Sequence, residues 1–261
     1  LGEYKVLADC YNDLGALSSK SGELEKASEY YEQGLKIALE NNCVSEAVRL
    51  YNNLCTVYWS IGEFQKTFET ALRGSELARK VGEVYHRSWI DLLLAFCYFA
   101  MGEMQKALSM VEDILALDKR TKFTSHISSV MFAFGWYYQI SGEWDKSFQY
   151  LTEALGMAKK VGEYQDSAGA TFLLGELFMD MEDYVEAEKY LKESNSIYEK
   201  AGDTESQLTD VFPALSKLYL RRSEIEKAEE LIEKTYEHAT ETKNRYYISY
   251  AEMLKGMLFR E

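Results

Sequence analysis

Six short turn signals recur along the chain at nearly constant spacing: Gly22-Glu23, Gly62-Glu63, Gly102-Glu103, Gly142-Glu143, Glu182-Asp183 and Ser223-Glu224. The first five lie 40 residues apart and the sixth follows after 41. A fixed period of this length is the signature of a stacked repeat protein, in which each repeat buries its apolar face against the next. No Ser/Gly/Pro-rich linker interrupts the 261 residues, so the chain reads as one continuous array. An array of this kind works as a surface, which turns the search for function toward an extended face.

Within each period the apolar spacing is helical. Tyr11, Leu14, Gly15 and Ser18, and again Tyr51, Leu54, Cys55 and Tyr58, fall at intervals of three, four and seven on one helix face. A second helix follows each mark, as in Leu24, Ala27, Tyr31, Leu35 and in Trp144, Ser147, Leu151, Leu155, so each unit is a helical hairpin. A single proline, Pro213, leaves long helices free to form and predicts a kink or a late start where it falls. Glycine in each mark suits a left-handed stop, and the acidic residue after it suits the positive end of the next helix. Val81-Gly82, Val161-Gly162 and Ala201-Gly202 end the second helices, with Asn41-Asn42 and the Arg120-Thr121 region in the same role. The predicted repeats are 2–41, 43–81, 83–120, 122–161, 163–201 and 204–242, with a terminal helix at 244–260. Two rows of small residues, Gly15, Cys55, Ala95, Gly135, Gly175, Ser216 and Ala27, Thr67, Ala107, Ser147, Ala187, Ala228, mark where paired helices approach closely.

Charge and chemistry narrow the function classes. A net charge of −14 repels phosphate backbones and anionic membranes, so no direct nucleic acid partner is expected. No apolar run is long enough for a membrane span and no signal peptide is visible, and the chain is expected to be cytoplasmic. Cys10, Cys43, Cys55 and Cys97 read as reduced, buried thiols. His86, His126 and His238 lie in different repeats; Glu83 and His86 share a helix, but no second ligand pair accompanies them, so neither a metal nor another cofactor is expected. No nucleotide loop, nucleophile elbow or zincin motif occurs, and carboxylate pairs such as Glu112-Asp113 and Glu229-Glu230 read as solvated faces; an enzyme is not expected. The leading Leu in place of Met suggests an excised fragment of a longer chain.

The pattern resembles the tetratricopeptide repeat (TPR), matched by Tyr11, Leu14-Gly15, Gly22-Glu23, Ala27 and Tyr31 and repeated over essentially the whole chain. Its long unit is similar to those of kinesin light chains, Leu-Gly-Asn adaptors and the sensor regions of bacterial and archaeal regulators. The resemblance implies an all-α, right-handed superhelical solenoid of about six hairpins plus a C-terminal capping helix, with the first helix of each hairpin lining a concave groove. Projected onto this sequence, the groove face carries Asn12, Arg49, Asn52, Trp59, Trp89, Phe96, Phe99, Phe132, Trp136 and Phe172 as peptide-binding candidates. Asn12 and Asn52 suit the backbone of a peptide, and the rings suit its apolar side chains. The competing reading makes the rings a core stripe and the asparagines solvated. Tyr11, Tyr58, Tyr98 and Tyr138 belong to the core face. Asp91 replaces the first aromatic of its repeat.

The function implied is a non-enzymatic scaffold that binds a protein partner through a peptide or short helix. The alternative is a ligand- or peptide-responsive sensor domain of a larger signalling or transcription-regulator protein. Homo-oligomers through the array ends are compatible with both, since Tyr246, Tyr247, Met253, Leu254 and Phe259 are apolar for a solvent-facing end.

Overall fold

The computed structural model describes residues 2–121, 126–242 and 244–258. The described residues are helical, without strands, and divide into two compact units, Leu1–His126 and Ile127–Glu261. The first unit holds three hairpins: α1 (Gly2–Lys20) with α2 (Leu24–Glu40), α3 (Val44–Ser60) with α4 (Phe64–Val81), and α5 (Tyr85–Ala100) with α6 (Met104–Thr121). The second holds α7 (Ile127–Ile140) with α8 (Trp144–Val161), α9 (Tyr164–Asp180) with α10 (Tyr184–Ala201), the short α11 (Thr204–Ser206), α12 (Phe212–Arg221) with α13 (Ile225–Glu241), and α14 (Arg245–Leu258). The start of the fourth predicted repeat, 122–125, and the end of the terminal helix lie outside the described residues.

Every turn mark performs the same backbone reversal. Gly22, Gly62, Gly102 and Gly142 take φ of 74–78°, and Glu182 and Ser223 follow them into the left-handed region at 61° and 55°. The residue after each mark donates its N–H five residues back: Glu23 to Ser18 (2.9 Å), Glu63 to Tyr58 (2.8 Å), Asp183 to Phe178 (2.9 Å) and Glu224 to Tyr219 (2.8 Å). This is the Schellman closure, which satisfies the last carbonyls of the first helix. Asn42, Gly82, Gly162 and Gly202 do the same for the second helices.

The acidic residue of each mark stands at the start of the next helix, at the positive end of its dipole. Glu23, Glu63, Glu143 and Glu224 make no capping hydrogen bond; the shorter Asp183 does, accepting from the Glu186 N–H at 3.2 Å. The glutamates instead pair with a lysine three residues on. In four repeats that lysine also lies over the tyrosine closing the first helix: Lys66 over Tyr58 (5.4 Å), Lys106 over Tyr98 (5.7 Å), Lys146 over Tyr138 (4.9 Å) and Lys227 over Tyr219 (5.2 Å). Each of these four turns thus carries its own cation–π brace, worth roughly 0.5–1 kcal/mol at an exposed site.

Both small-residue rows are fully covered. A methyl added at Gly15 would sit 2.5 Å from the Tyr31 ring, at Gly135 2.5 Å from Leu151 and at Gly175 2.7 Å from Leu191, so the paired helices meet at van der Waals distance through these positions. Ser147 Oγ donates to the Gly135 carbonyl at 2.9 Å, which keeps the buried hydroxyl satisfied. Asp91, the departure from the aromatic pattern, is also buried: it accepts from Ser75 Oγ and, at 3.1 Å, from Arg87 Nε. Tyr58 is buried while Tyr11, Tyr98 and Tyr138 are half-buried under their neighbours.

Two expectations are corrected. Cys43, Cys55 and Cys97 are buried, with burial pushing the Cys97 thiol up to about 11, but Cys10 is exposed. Leu254 is fully buried and forms no part of an apolar end, whereas Tyr246 and Met253 are exposed and Phe259 lies outside the described residues.

The Pro213 region resolves the odd spacing of the last mark. Residues Gln207–Val211 form a π-helical turn, in which the Phe212 N–H donates to the Gln207 carbonyl five residues back, and α12 then begins with Pro213 in its first turn. Gly202 to Ser223 is 21 residues where Gly162 to Glu182 is 20, so the extra residue of the last period falls in the helix that holds the wider turn.

Candidate binding face on the first helices

In the first unit, the projected groove residues form rungs between successive first helices. Arg49 Nη2 pairs with Asp9 across α3 and α1. Asn12 and Asn52 are joined through a residue the sequence reading missed: Asn53 Nδ2 donates to Asn12 Oδ1 at 2.8 Å, and Asn52 Nδ2 donates to Asn53 Oδ1 at 3.4 Å. Asn53 lies 41 residues from Asn12, one position past its repeat equivalent Asn52, and that offset is the signal that finds it. Asn12 is only 8% exposed and its carbonyl is occupied, which corrects its reading as an open peptide contact; Asn52 stays half-buried.

Farther along, Trp59 packs edge-on against Phe64 (5.2 Å between centroids) and tilted against Phe96 (6.2 Å). Trp89 lies 4.9 Å from the ring of His126. His126 is itself buried beside the equally buried Asp118, with 3.5 Å between Nε2 and the carboxylate, and burial pushes the Asp118 carboxyl up to about 6. Phe99 is corrected. It is 3% exposed, because α5 is apolar around most of its circumference, with Ile90, Leu92, Leu94, Ala95 and Cys97 also buried. Glu83 and His86, considered as a metal pair, serve the helix start instead, where Glu83 Oε2 accepts from the His86 and Arg87 N–H groups at 2.9 and 3.2 Å.

In the second unit, Ser128 and Ser129 of α7 both donate to Asp166 of α9, and Gln139 Nε2 donates to Asp180 at 2.8 Å, again 41 residues away. Phe132 lies over Gly169, where an added methyl would stand 3.4 Å from its ring. Phe132, Trp136 and Phe172 are half-buried and pack on the cluster of Leu151, Leu173, Leu174 and Leu177. The rings therefore have one side in the core and one side toward solvent, between the two sequence readings. Glu176 and Asp210 are half-buried carboxylates on this face; burial raises both, Asp210 to about 7. Among the described residues no group of three or more His, Cys, Asp or Glu is arranged to hold a metal ion, and no helix is long and apolar enough to cross a membrane.

Paired helices closed by Schellman turns, with small-residue contacts at fixed positions, are the architecture of a tetratricopeptide-repeat fold. Tetratricopeptide repeat models match residues 8–41 and 86–160. No curated protein sequence matches the chain. Among solved structures, the Rap conjugation gene regulator of plasmid pLS20 in complex with the Phr* peptide superposes with a TM-score of 0.71 at 12% identity, over 96% of this chain and 74% of that one. Aspartyl phosphate phosphatase F from Bacillus subtilis gives 0.67 at 13%, over 88% of this chain and 59% of that one. A putative kinesin light chain of Podosopora anserina gives 0.53 at 18%, over 76% of this chain and 97% of that one. At these identities the likeness is one of fold.

Proposed function

We propose that the protein is a non-catalytic scaffold that binds a peptide or short helical segment of a partner on the face of its first helices. The observation that carries this reading is the half-buried state of Asn52, Trp59, Trp89, Phe96, Phe132, Trp136 and Phe172, each packed on one side and open on the other. Large rings held rigid by the fold lose little entropy on binding, so they make efficient anchors for apolar side chains. The fold-level likeness to a regulator solved with a peptide supports the same mode and also favours the sensor variant, in which binding controls an attached partner domain. The likeness to a phosphatase makes absence of catalysis a point to measure.

Phe96→Ala and Trp136→Ala are each expected to weaken peptide binding by about 2 kcal/mol, roughly 30-fold, in calorimetry with peptides selected on the intact protein, while helical circular dichroism is retained. Binding that ignores both changes would remove this face from consideration.

A further inference from the structure

Within each unit, a first helix packs on the second helix of the preceding hairpin through one stripe of its own side chains. On α3 the stripe is Ala47, Leu50, Leu54 and Val57, all buried in the cluster that also holds Ala38 of α2. A methyl added at Gly34 of α2 would stand 3.2 Å from Leu50, and at Gly74 of α4 3.1 Å from Ile90, so a small residue of one helix receives a large one of the other. Ile90, Leu94 and Cys97 repeat the stripe on α5, and Ala170, Leu174 and Leu177 repeat it on α9, buried likewise. On α1 the positions one repeat earlier are Leu7, Cys10, Leu14 and Leu17, and all four are exposed. Leu14 and Leu17 stand at 43% and 63% exposure where Leu54 and Val57 stand at 2% and 3%. Among the described residues α1 packs on α2 and α3, and nothing covers this stripe. It lies on another side of α1 from Asp9 and Asn12, outside the proposed peptide face. A continuous apolar stripe left open to solvent marks an interaction surface.

We propose that this stripe is a homodimer interface, on which α1 of a second copy lies antiparallel. The spacing makes α1 complementary to itself: its gaps are three, four and three residues, so reversal about Asn12 sets Leu7 against Leu17 and Cys10 against Leu14 of the other copy. Cys10 stands where α3 and α5 carry Leu50 and Ile90, and the space it leaves admits Leu14 of the second copy, the same large-on-small fit that Leu50 makes with Gly34. Charge at the ends of the helix agrees. Glu3 in the first turn and Lys20 in the last are both exposed, and the antiparallel arrangement brings each opposite the other. Asp13 flanks the stripe one residue from the axis and meets its own copy there. That repulsion, with a net charge of −14 on each chain, holds the dimer to moderate strength and makes it tighten as salt rises.

Sedimentation velocity of the intact protein over about 1–200 μM in about 0.3 M salt tests the interface. A reversible dimer is expected in that range. Leu14→Glu and Leu17→Glu, both at exposed positions, should each weaken it by about thirtyfold or more while helical circular dichroism is retained. A monomer at every concentration overturns the proposal and leaves the stripe to a helix of another protein; a dimer that neither change weakens overturns it as well. Cross-linking reads the register. In a Cys10→Ser background, a mixture of Leu7→Cys and Leu17→Cys proteins is expected to oxidise to the mixed disulfide dimer, and neither protein alone should link. Self-linked dimers of either protein, or a mixture that does not link, overturn the antiparallel arrangement.

Discussion

Asp118 stands where four of the five equivalent positions, 38, 78, 158 and 239, are alanine and the fifth is Tyr198, and it is 1% exposed. Its carboxyl accepts from Ser88 Oγ at 3.3 Å, too little to offset burial, which raises it from 3.8 to about 6. A carboxyl raised on folding favours the folded state while protonated, and that advantage is lost as pH climbs from about 4 through 6. Asp118→Asn is therefore expected to stabilise the protein at pH 8 by roughly 2–3 kcal/mol and to change little at pH 4, as read by urea unfolding of both proteins at each pH. Gly135 gives the opposite kind of residue-scale prediction. Leu151, against which an added methyl would press, is fully buried and has no room to move, so Gly135→Ala should cost about 1–3 kcal/mol in the same assay. Gly135 and its row were legible because they recur at the repeat spacing. Asp118 was not, because a single buried acid that breaks a row of apolar residues looks like one more surface carboxylate among 43 acidic residues.

The hairpin is the element whose ends the sequence specifies best. Glu182 and Ser223 lack the usual glycine, yet both adopt the left-handed turn, because the hydrogen bonds of the closure and the packing of the flanking helices outweigh the steric cost of a side chain there. Ser223→Gly should release part of that cost and raise stability by up to about 1 kcal/mol, visible as a higher melting temperature. An unchanged or lower value would mean that the serine side chain contributes something the backbone does not reveal. Less legible was the route past Pro213: a kink or late start was expected, and the chain instead widens one turn ahead of the proline.

At the scale of the molecule, the repeat ruler located the first-helix face but could not grade its residues. Periodicity tells which residues share a face and is silent on how much of that face neighbours cover. Hence Asn12 and Phe99 were placed with open contacts although both are buried. Charge was legible from composition alone. With a net charge of −14, association with a basic peptide should slow on the order of tenfold as salt rises from low concentration to about 0.5 M, whereas dissociation should change less, a split that stopped-flow kinetics resolves.

One extra residue in an α-helix rotates everything after it by about 100°, enough to swing a buried stripe out of the core. The π-helical turn at Gln207–Val211 absorbs that rotation before it spreads, so Leu215, Leu218 and Tyr219 still point inward and the turn at Ser223-Glu224 still closes in phase. The array thus corrects an insertion locally, within one turn of the helix that received it.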